Sequence, residues 1–152
     1  MAGKFLIDLT DARFHVAGNE DVLEFVRRAN PFAHSDVGSL LLALGENIPG
    51  ACAYCPSYAQ CAYVVLHTEA WRIFAIAFGQ RGLAFRLAPA SRLAALADGG
   101  VVAPDIGPDW VAFAPWGGGG GGGGGDQASQ ADGRARLQRW SSRAFADAAT
   151  AT

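Results

Sequence analysis

The sequence lacks the features that a membrane-spanning, secreted or disulfide-bonded protein needs. No apolar run approaches the roughly 18 residues of a membrane-spanning helix. The opening residues, MAGKFLIDLTDARF, hold only a short apolar stretch that Asp8 interrupts, which is not typical of a secretory signal. The three cysteines are an odd number, and no Asn-x-Ser/Thr glycosylation site is present. We therefore predict a cytoplasmic protein with no membrane span and no disulfide framework.

Signature motifs of the common enzyme classes are also missing. The sequence contains no G-x-S-x-G, H-E-x-x-H, Walker A or EF-hand pattern. The nine consecutive glycines at 117–125 satisfy G-x-G-x-x-G only trivially, and a dinucleotide-binding loop would join a strand tightly to a helix. We therefore predict no cofactor, and the sequence does not favour catalysis.

Lysine is almost absent, and the overall charge is slightly acidic. Lys+Arg is 12, with a single lysine, and Asp+Glu is 14, which gives a formal net charge of −2. A dedicated DNA-binding protein is expected to be strongly basic. Hydrophobic residues make up 51% and charged residues 17%, which excludes a mostly disordered chain. The preference for arginine, together with abundant alanine, is typical of a GC-rich bacterial genome.

The glycine run divides the chain into two parts. Glycine has no side chain to bury and a high ordering cost, so we predict that residues 117–125 form a flexible tether of about 15–18 Å. Residues 1–116 carry 8 basic and 11 acidic side chains and are predicted to form a single α+β domain. Residues 126–152 are predicted to form an amphipathic C-terminal helix or tail.

Capping residues, turn residues and apolar periodicity place the elements of the domain. We predict that Asn19 caps the first helix and that Gly45 ends the second. The expected helices cover residues 20–29, 35–44 and 89–97, the expected strands 4–9, 61–67, 72–78, 83–87 and 110–113, and the expected loops 48–60 and 101–109.

The three middle strands are predicted to form an antiparallel meander, which the helices pack against. Pairing Phe78 with Leu83 and Val65 with Phe74 places the large apolar residues on one face. The opposite face holds smaller apolar residues such as Ala75. Because a solvated sheet face alternates with polar residues, this face needs a cover. The cover is expected to come from helices of the chain, from the tail, or from a second copy in a homodimer.

The tail has one helical pattern. Its apolar residues fall within roughly 140° of a helical wheel, and they are Leu137, Trp140, Ala144, Phe145 and Ala148. The opposite arc carries Arg136, Arg139 and Arg143. This helix is expected to dock on its own domain or on a dimer mate. The alternatives are a helix that binds another protein or a membrane surface, and a tail that is poorly ordered because an isolated helix of this length is marginal.

The cysteines and one histidine have a spacing that superficially suggests a zinc site. Cys52, Cys55 and Cys61 are followed by His67, as in a Cys3His set. A strand over 61–67 would separate Cys61 from His67 by about 20 Å, so one ion cannot bind all four. Cys52 and Cys55 remain candidate metal ligands, with His15 or His34 supplying other ligands, or a candidate redox pair. The alternative is that these thiols are inert.

Arginines cluster around the predicted hairpin. Arg72, Arg81 and Arg86 form a candidate patch for a small anionic ligand or for nucleic acid, with His67 at the strand end facing Arg72. The alternative is a solvated group of charges at the strand ends. His67 beside Glu69 is also a candidate general base, against a purely structural role.

The order of elements between residues 61 and 113 resembles the C-terminal half of the MmcQ/YjbR family. The similar segments are the hairpin AWRIFAIAFGQRGLAFRLAP, the helix SRLAALADGG and the strand DWVAF, together about a third of the chain. The resemblance implies a compact α+β fold and DNA binding, and it transfers no catalytic residues. The cysteine loop, the acidic domain and the glycine-tethered tail depart from the family.

The predicted function is therefore a binding or interaction module without catalysis of its own, acting through the sheet face, the hairpin arginines or the tail. The first alternative is a DNA-binding protein of the MmcQ/YjbR type that uses Arg72, Arg81 and Arg86. The second alternative is a metal-dependent or thiol-dependent protein built on Cys52 and Cys55.

Overall fold

The computed structural model describes residues 12–29, 33, 35–55, 63–79, 82–113 and 127–150. The helices are α1 (Glu20–Ala29), α2 (Ser35–Glu46), α3 (Pro89–Ala97) and α4 (Gln127–Thr150), preceded by a 3₁₀ turn, Ala12–Phe14. The strands are β1 (Cys52–Tyr54), β2 (Val64–His67), β3 (Ile73–Phe78), β4 (Gly82–Arg86), β5 (Val101–Val102) and β6 (Trp110–Ala112). The predicted α+β class and the C-terminal helix are confirmed. The predicted strand 4–9, the tether 117–125 and the side chains of Cys61 and Arg81 lie outside the described residues.

The strands form one antiparallel sheet in the order β1-β2-β3-β4-β6-β5. The meander of β2, β3 and β4 is confirmed. The predicted loops at 48–60 and 101–109 are wrong where β1 and β5 form. These strands are three and two residues long, which is too short to show the alternating pattern by which a strand is recognised in a sequence.

The predicted register between β3 and β4 is wrong by one residue. Phe78 pairs with Gly82, and Leu83 pairs with Ala77. A Cβ at position 82 would lie 2.4 Å from the carbonyl oxygen of Phe78, so only glycine allows this close approach. The connection is therefore one residue shorter than the four-residue loop that was expected, and the length of a hairpin loop sets the register of its strands.

The register between β2 and β3 also differs from the expected one. Val65 pairs with Ile76 instead of Phe74. After Leu66 a bulge changes the register by one residue, so that His67 pairs with Ile73. A bulge adds one residue to one strand and breaks the strict alternation of faces. The apolar pattern of the sequence contains no mark of this extra residue.

Both faces of the sheet consequently mix large and small residues, and the predicted segregation by size is wrong. Leu83 and Phe85 lie on the same face as Ala75 and Ala77. This face is covered by α2, α3 and α4, whereas the opposite face packs against α1 and the 3₁₀ turn. The face that carries Ala75 is therefore covered by helices of the same chain, the tail helix among them, and these were two of the three expected covers.

Gly45 lies inside α2 and does not end it, because the helix continues to Glu46. A Cβ on Gly45 would lie 2.8 Å from Cδ2 of Leu66 on β2. This glycine therefore allows α2 to approach the sheet closely.

The C-terminal helix docks on its own domain, which was one of the arrangements expected from the sequence. Leu137, Ala144 and Ala148 are buried against the sheet. The Trp140 indole stacks on Phe113 with their ring centroids 6.1 Å apart. Its Nε1 also donates a 2.8 Å hydrogen bond to Asp98 Oδ2. The apolar face of α4 is thus used within the chain. No helix of the described ranges is both long and apolar enough to cross a membrane.

Removing the Trp140 side chain should detach the middle of α4 and destabilise the domain. We expect Trp140→Ala to lower the free energy of unfolding by about 3–5 kcal/mol, because a large apolar group leaves the core. The measurement is equilibrium unfolding in urea. Arg143→Ala, on the exposed side of the same helix, is the control and should change the value by less than about 0.5 kcal/mol. Equal stability of the two variants would contradict the docking of α4.

Candidate functional site

Two arginines of the predicted patch meet at Gly18, in the loop before α1. A Cβ on Gly18 would lie 2.8 Å from Nη1 of Arg86 and 3.3 Å from Nε of Arg72. Gly18 also has a φ of +100°, a conformation that favours glycine. The absence of a side chain at this position therefore leaves room for both guanidinium groups.

Arg72 is used to hold the structure together. Its Nε donates a 3.2 Å hydrogen bond to the carbonyl of Ala17, and its Nη1 donates a 3.3 Å bond to the carbonyl of Ala148. Ala148 lies in the last turn of α4, where the helix dipole favours a positive charge. Arg72 thereby connects the start of β3 with the loop before α1 and with the end of α4.

Asn19 fixes the position of Arg72 through hydrogen bonds to the backbone on either side of that residue. Its Nδ2 donates to the carbonyl oxygens of Phe14 and Trp71, at 2.7 and 2.9 Å, and its Oδ1 accepts the amide of Ile73 at 2.9 Å. Asn19 is fully buried, and two of its partners flank Arg72 in the sequence. Asn19 precedes α1 as predicted, but its side chain does not cap that helix. Its hydrogen bonds go instead to the 3₁₀ turn and to the turn between β2 and β3.

Arg86 projects from the end of β4 beside a cleft of about 250 Å³. The residue is half-buried, and no group in the described part of the chain accepts a hydrogen bond from its guanidinium. The cleft is lined by Arg86, Leu87, Ala88, Pro89, Asp109, Asp147 and Ala148. It lies where β4 leads into α3, with the last turns of α4 forming one wall. Its surface combines an apolar wall with one cationic and two anionic side chains.

The two carboxylates of the cleft have different partners. Asp109 forms an ion pair with Arg92, with Oδ1 2.5 Å from Nη1. Asp147 accepts the backbone amide of Ala88 through Oδ2 at 3.0 Å. Ala88 is the residue before α3, so Asp147 supplies from another helix the negative group that the start of α3 favours.

A third carboxylate, Glu20, lies near the arginines outside the cleft. Its Oε1 accepts the amide of Gly18 at 2.9 Å. Backbone hydrogen bonds from Glu20 and Gly18 lower the pKa of the Glu20 carboxyl, and the charges of Arg86 and Arg72 lower it further. Glu20 is therefore ionised at neutral pH and partly balances the two guanidinium charges.

His67 lies away from the cleft and does not face Arg72 as predicted. It is 4% exposed, and its ring stacks on Trp71 with the centroids 4.7 Å apart. Its Nδ1 lies 2.8 Å from the carbonyl of Thr68 and therefore carries the proton that it donates. Burial lowers the pKa of His67, and the charge of Arg13 adds to this effect. This environment supports the structural role rather than that of a ligand contact or general base.

Cys52 and Cys55 do not converge in the described fold. Tyr54 packs in the cluster on the α1 side of the sheet, whereas Cys55 packs against the cluster on the α2 side. Cys52 is two residues before Tyr54 on β1 and so shares its face. Within the residues that the structure describes, no group of three His, Cys, Asp or Glu side chains could hold a metal ion.

Three residues of the site were not singled out from the sequence: Gly18, Asp109 and Asp147. Gly18 is a typical turn residue, and it lies directly before Asn19, the predicted cap of the first helix. Asp147 lies among alanines at the end of the tail. No local pattern indicates that residues 18 and 147 lie near Arg86, because these contacts join distant parts of the chain.

The low pKa of His67 makes the stability of the fold depend on pH. As the pH falls below 6.5, the ordinary value for histidine, the unfolded chain binds a proton that the folded protein does not yet accept. The free energy of unfolding should therefore decrease until the pH passes below the folded pKa. Urea unfolding between pH 8 and pH 5 measures this change. His67→Phe keeps the ring stack without the titrating group, so its pH dependence should be shallower; parallel curves would contradict this role of His67.

Comparisons with protein-family models, with curated proteins and with solved structures returned no match to this chain. The likeness to the MmcQ/YjbR family therefore stays a prediction from residues 61–113.

Proposed function

We propose that this protein is a small-molecule binding module that holds a carboxylate against Arg86. The observation that carries the proposal is the state of this guanidinium. It is half-buried at the mouth of a cleft, and no acceptor among the described residues uses its donors. A guanidinium offers five N–H donors and binds a carboxylate with two parallel hydrogen bonds. Arg86 thus has the unused donors that such a ligand needs.

The other surfaces considered for binding are already covered. Helices of the chain pack on both faces of the sheet, and the apolar face of α4 is buried against the domain. The hairpin arginines are the remaining candidate. Of the two that are described, Arg72 bonds two backbone carbonyls, which leaves Arg86 as the described arginine best placed to contact a ligand.

The dimensions and walls of the cleft favour a small organic acid. Ligand pockets for drug-sized molecules measure roughly 300–1,000 Å³, and this cleft, at about 250 Å³, is smaller. Leu87, Pro89 and Ala148 line it and provide contacts for a short hydrocarbon body. Its lining contains no histidine, cysteine, serine or tyrosine, and its two carboxylates already bond Arg92 and the amide of Ala88, which supports binding rather than nucleophilic or acid–base chemistry.

Duplex DNA is the weaker candidate. Affinity for DNA depends on several arginines or lysines that contact successive phosphates. Here Glu20, Asp109 and Asp147 lie close to Arg86, and they would repel a phosphate backbone. A small ligand needs only one guanidinium, so it does not have to place successive phosphates beside these three carboxylates.

Titration with 3-methylbutanoate, followed by NMR chemical shifts, tests the proposal. We expect saturable binding that Arg86→Gln weakens at least about tenfold, the loss expected for hydrogen bonds to a charged group. Arg143→Gln is the matched control, because it removes the same charge from the exposed side of α4. Binding that is absent, or equal in the two variants, would refute the proposal. Tight binding of a short DNA duplex with a steep salt dependence would favour the alternative.

A further inference from the structure

We infer that the ligand of this cleft is a zwitterion, namely a small amino acid with a short apolar side chain, and that Asp147 determines this specificity. The inference rests on the proposed function, because it assumes that Arg86 binds the carboxylate. It adds a second contact, in which Asp147 accepts hydrogen bonds from the ammonium group of the same ligand.

The charges that line the cleft support two opposite groups on one ligand. Arg86 is the cation, while Asp109 and Asp147 are the anions. Asp109 is balanced by its ion pair with Arg92. Asp147 has no ion pair with any described cation, including Arg143 one turn earlier on α4, and its described partner is the neutral amide of Ala88. The cleft therefore presents one cation and one anion that form no ion pair with a described residue.

The hydrogen-bonding capacity of Asp147 leads to the same conclusion. An ionised carboxylate has about four acceptor positions, and the amide of Ala88 occupies one of them. A ligand ammonium has three donors for the positions that remain. A simple carboxylate would supply no donor and would bring a second negative charge beside Asp147, while a dianion would increase the repulsion further.

The apolar wall selects the side chain of the amino acid. Leu87, Pro89 and Ala148 leave a small volume beside the two charged groups. A branched side chain of three carbons, as in valine, would contact this wall, whereas a large aromatic ring exceeds the space of a cleft of about 250 Å³.

Three matched ligands isolate the contribution of each charge. Valine carries both groups, 3-methylbutanoate lacks the ammonium, and 2-methylpropylamine lacks the carboxylate. On the wild-type protein, calorimetry and NMR titration should show valine binding at least about tenfold tighter than 3-methylbutanoate, because bonds between charged groups are the stronger class. The amine alone should bind more weakly than valine, because it does not engage Arg86.

The variant Asp147→Asn assigns the second contact. Its amide oxygen still accepts the Ala88 amide, so the start of α3 keeps its partner. We expect valine to lose its advantage and to bind within about threefold of 3-methylbutanoate, whose own affinity is retained or improved. Asp132→Asn removes the same charge from an exposed position of the same helix and should leave all three affinities unchanged.

The outcomes separate the two proposals. If no ligand binds in a way that depends on Arg86, the proposed function is refuted, and the inference falls with it. If 3-methylbutanoate binds as tightly as valine to the wild-type protein, only the zwitterion inference is overturned. If valine keeps its advantage in folded Asp147→Asn, the role of Asp147 is overturned. The comparison of ligands on the wild-type protein needs no variant, so it decides the ligand class even if Asp147→Asn does not fold.

Discussion

The need to cover a sheet that is apolar on both faces determines the arrangement of the whole molecule. A half-solvated antiparallel sheet alternates apolar and polar residues, but β2 and most of β3 are buried on both sides. Helix α1 covers one face, whereas α2 and α3 need the C-terminal helix to complete the cover of the other. Because α4 fills this gap, its last turns reach the end of β4. Covering the sheet thus brings Asp147 and Ala148 beside Arg86.

The two arginines at Gly18 differ in how the fold uses them. Arg72 bonds the carbonyls of Ala17 and Ala148, and the buried Asn19 bonds the residues on either side of it. Burying a polar group without a hydrogen-bond partner costs free energy. These bonds therefore hold the turn between β2 and β3 in one conformation. Arg86 makes no such bond within the described structure. The same cluster therefore combines a guanidinium that supports the fold with one whose donors the described fold does not use, as the proposed function requires.

The sequence predicts most of the elements, but neither the sheet register nor the cleft. Long apolar runs identify β3 and β4, and the helical period identifies α1 and α4, because burial imposes these patterns locally. The register depends on the approach of Gly82 to the Phe78 carbonyl and on the bulge after Leu66, which are details of backbone contact. The patch prediction included Arg72 and Arg86, since neighbouring strands carry them. Asp147 was missed because its place depends on how α4 docks.

The position of Asp147 in the cleft depends on packing contacts that α4 makes two turns earlier. Trp140 anchors α4 two turns before Asp147, through its stack on Phe113 and its bond to Asp98. A helix rises about 5.4 Å per turn and transmits position rigidly over this distance, so the anchor at Trp140 fixes where the carboxylate lies. The carboxylate on α4 is therefore held in the cleft by the packing of its helix, whereas the Arg86 guanidinium on β4 bonds no acceptor in the described part of the chain. Preorganisation lowers the entropic cost of binding, so in the proposed complex this cost falls mainly on the side chain of Arg86.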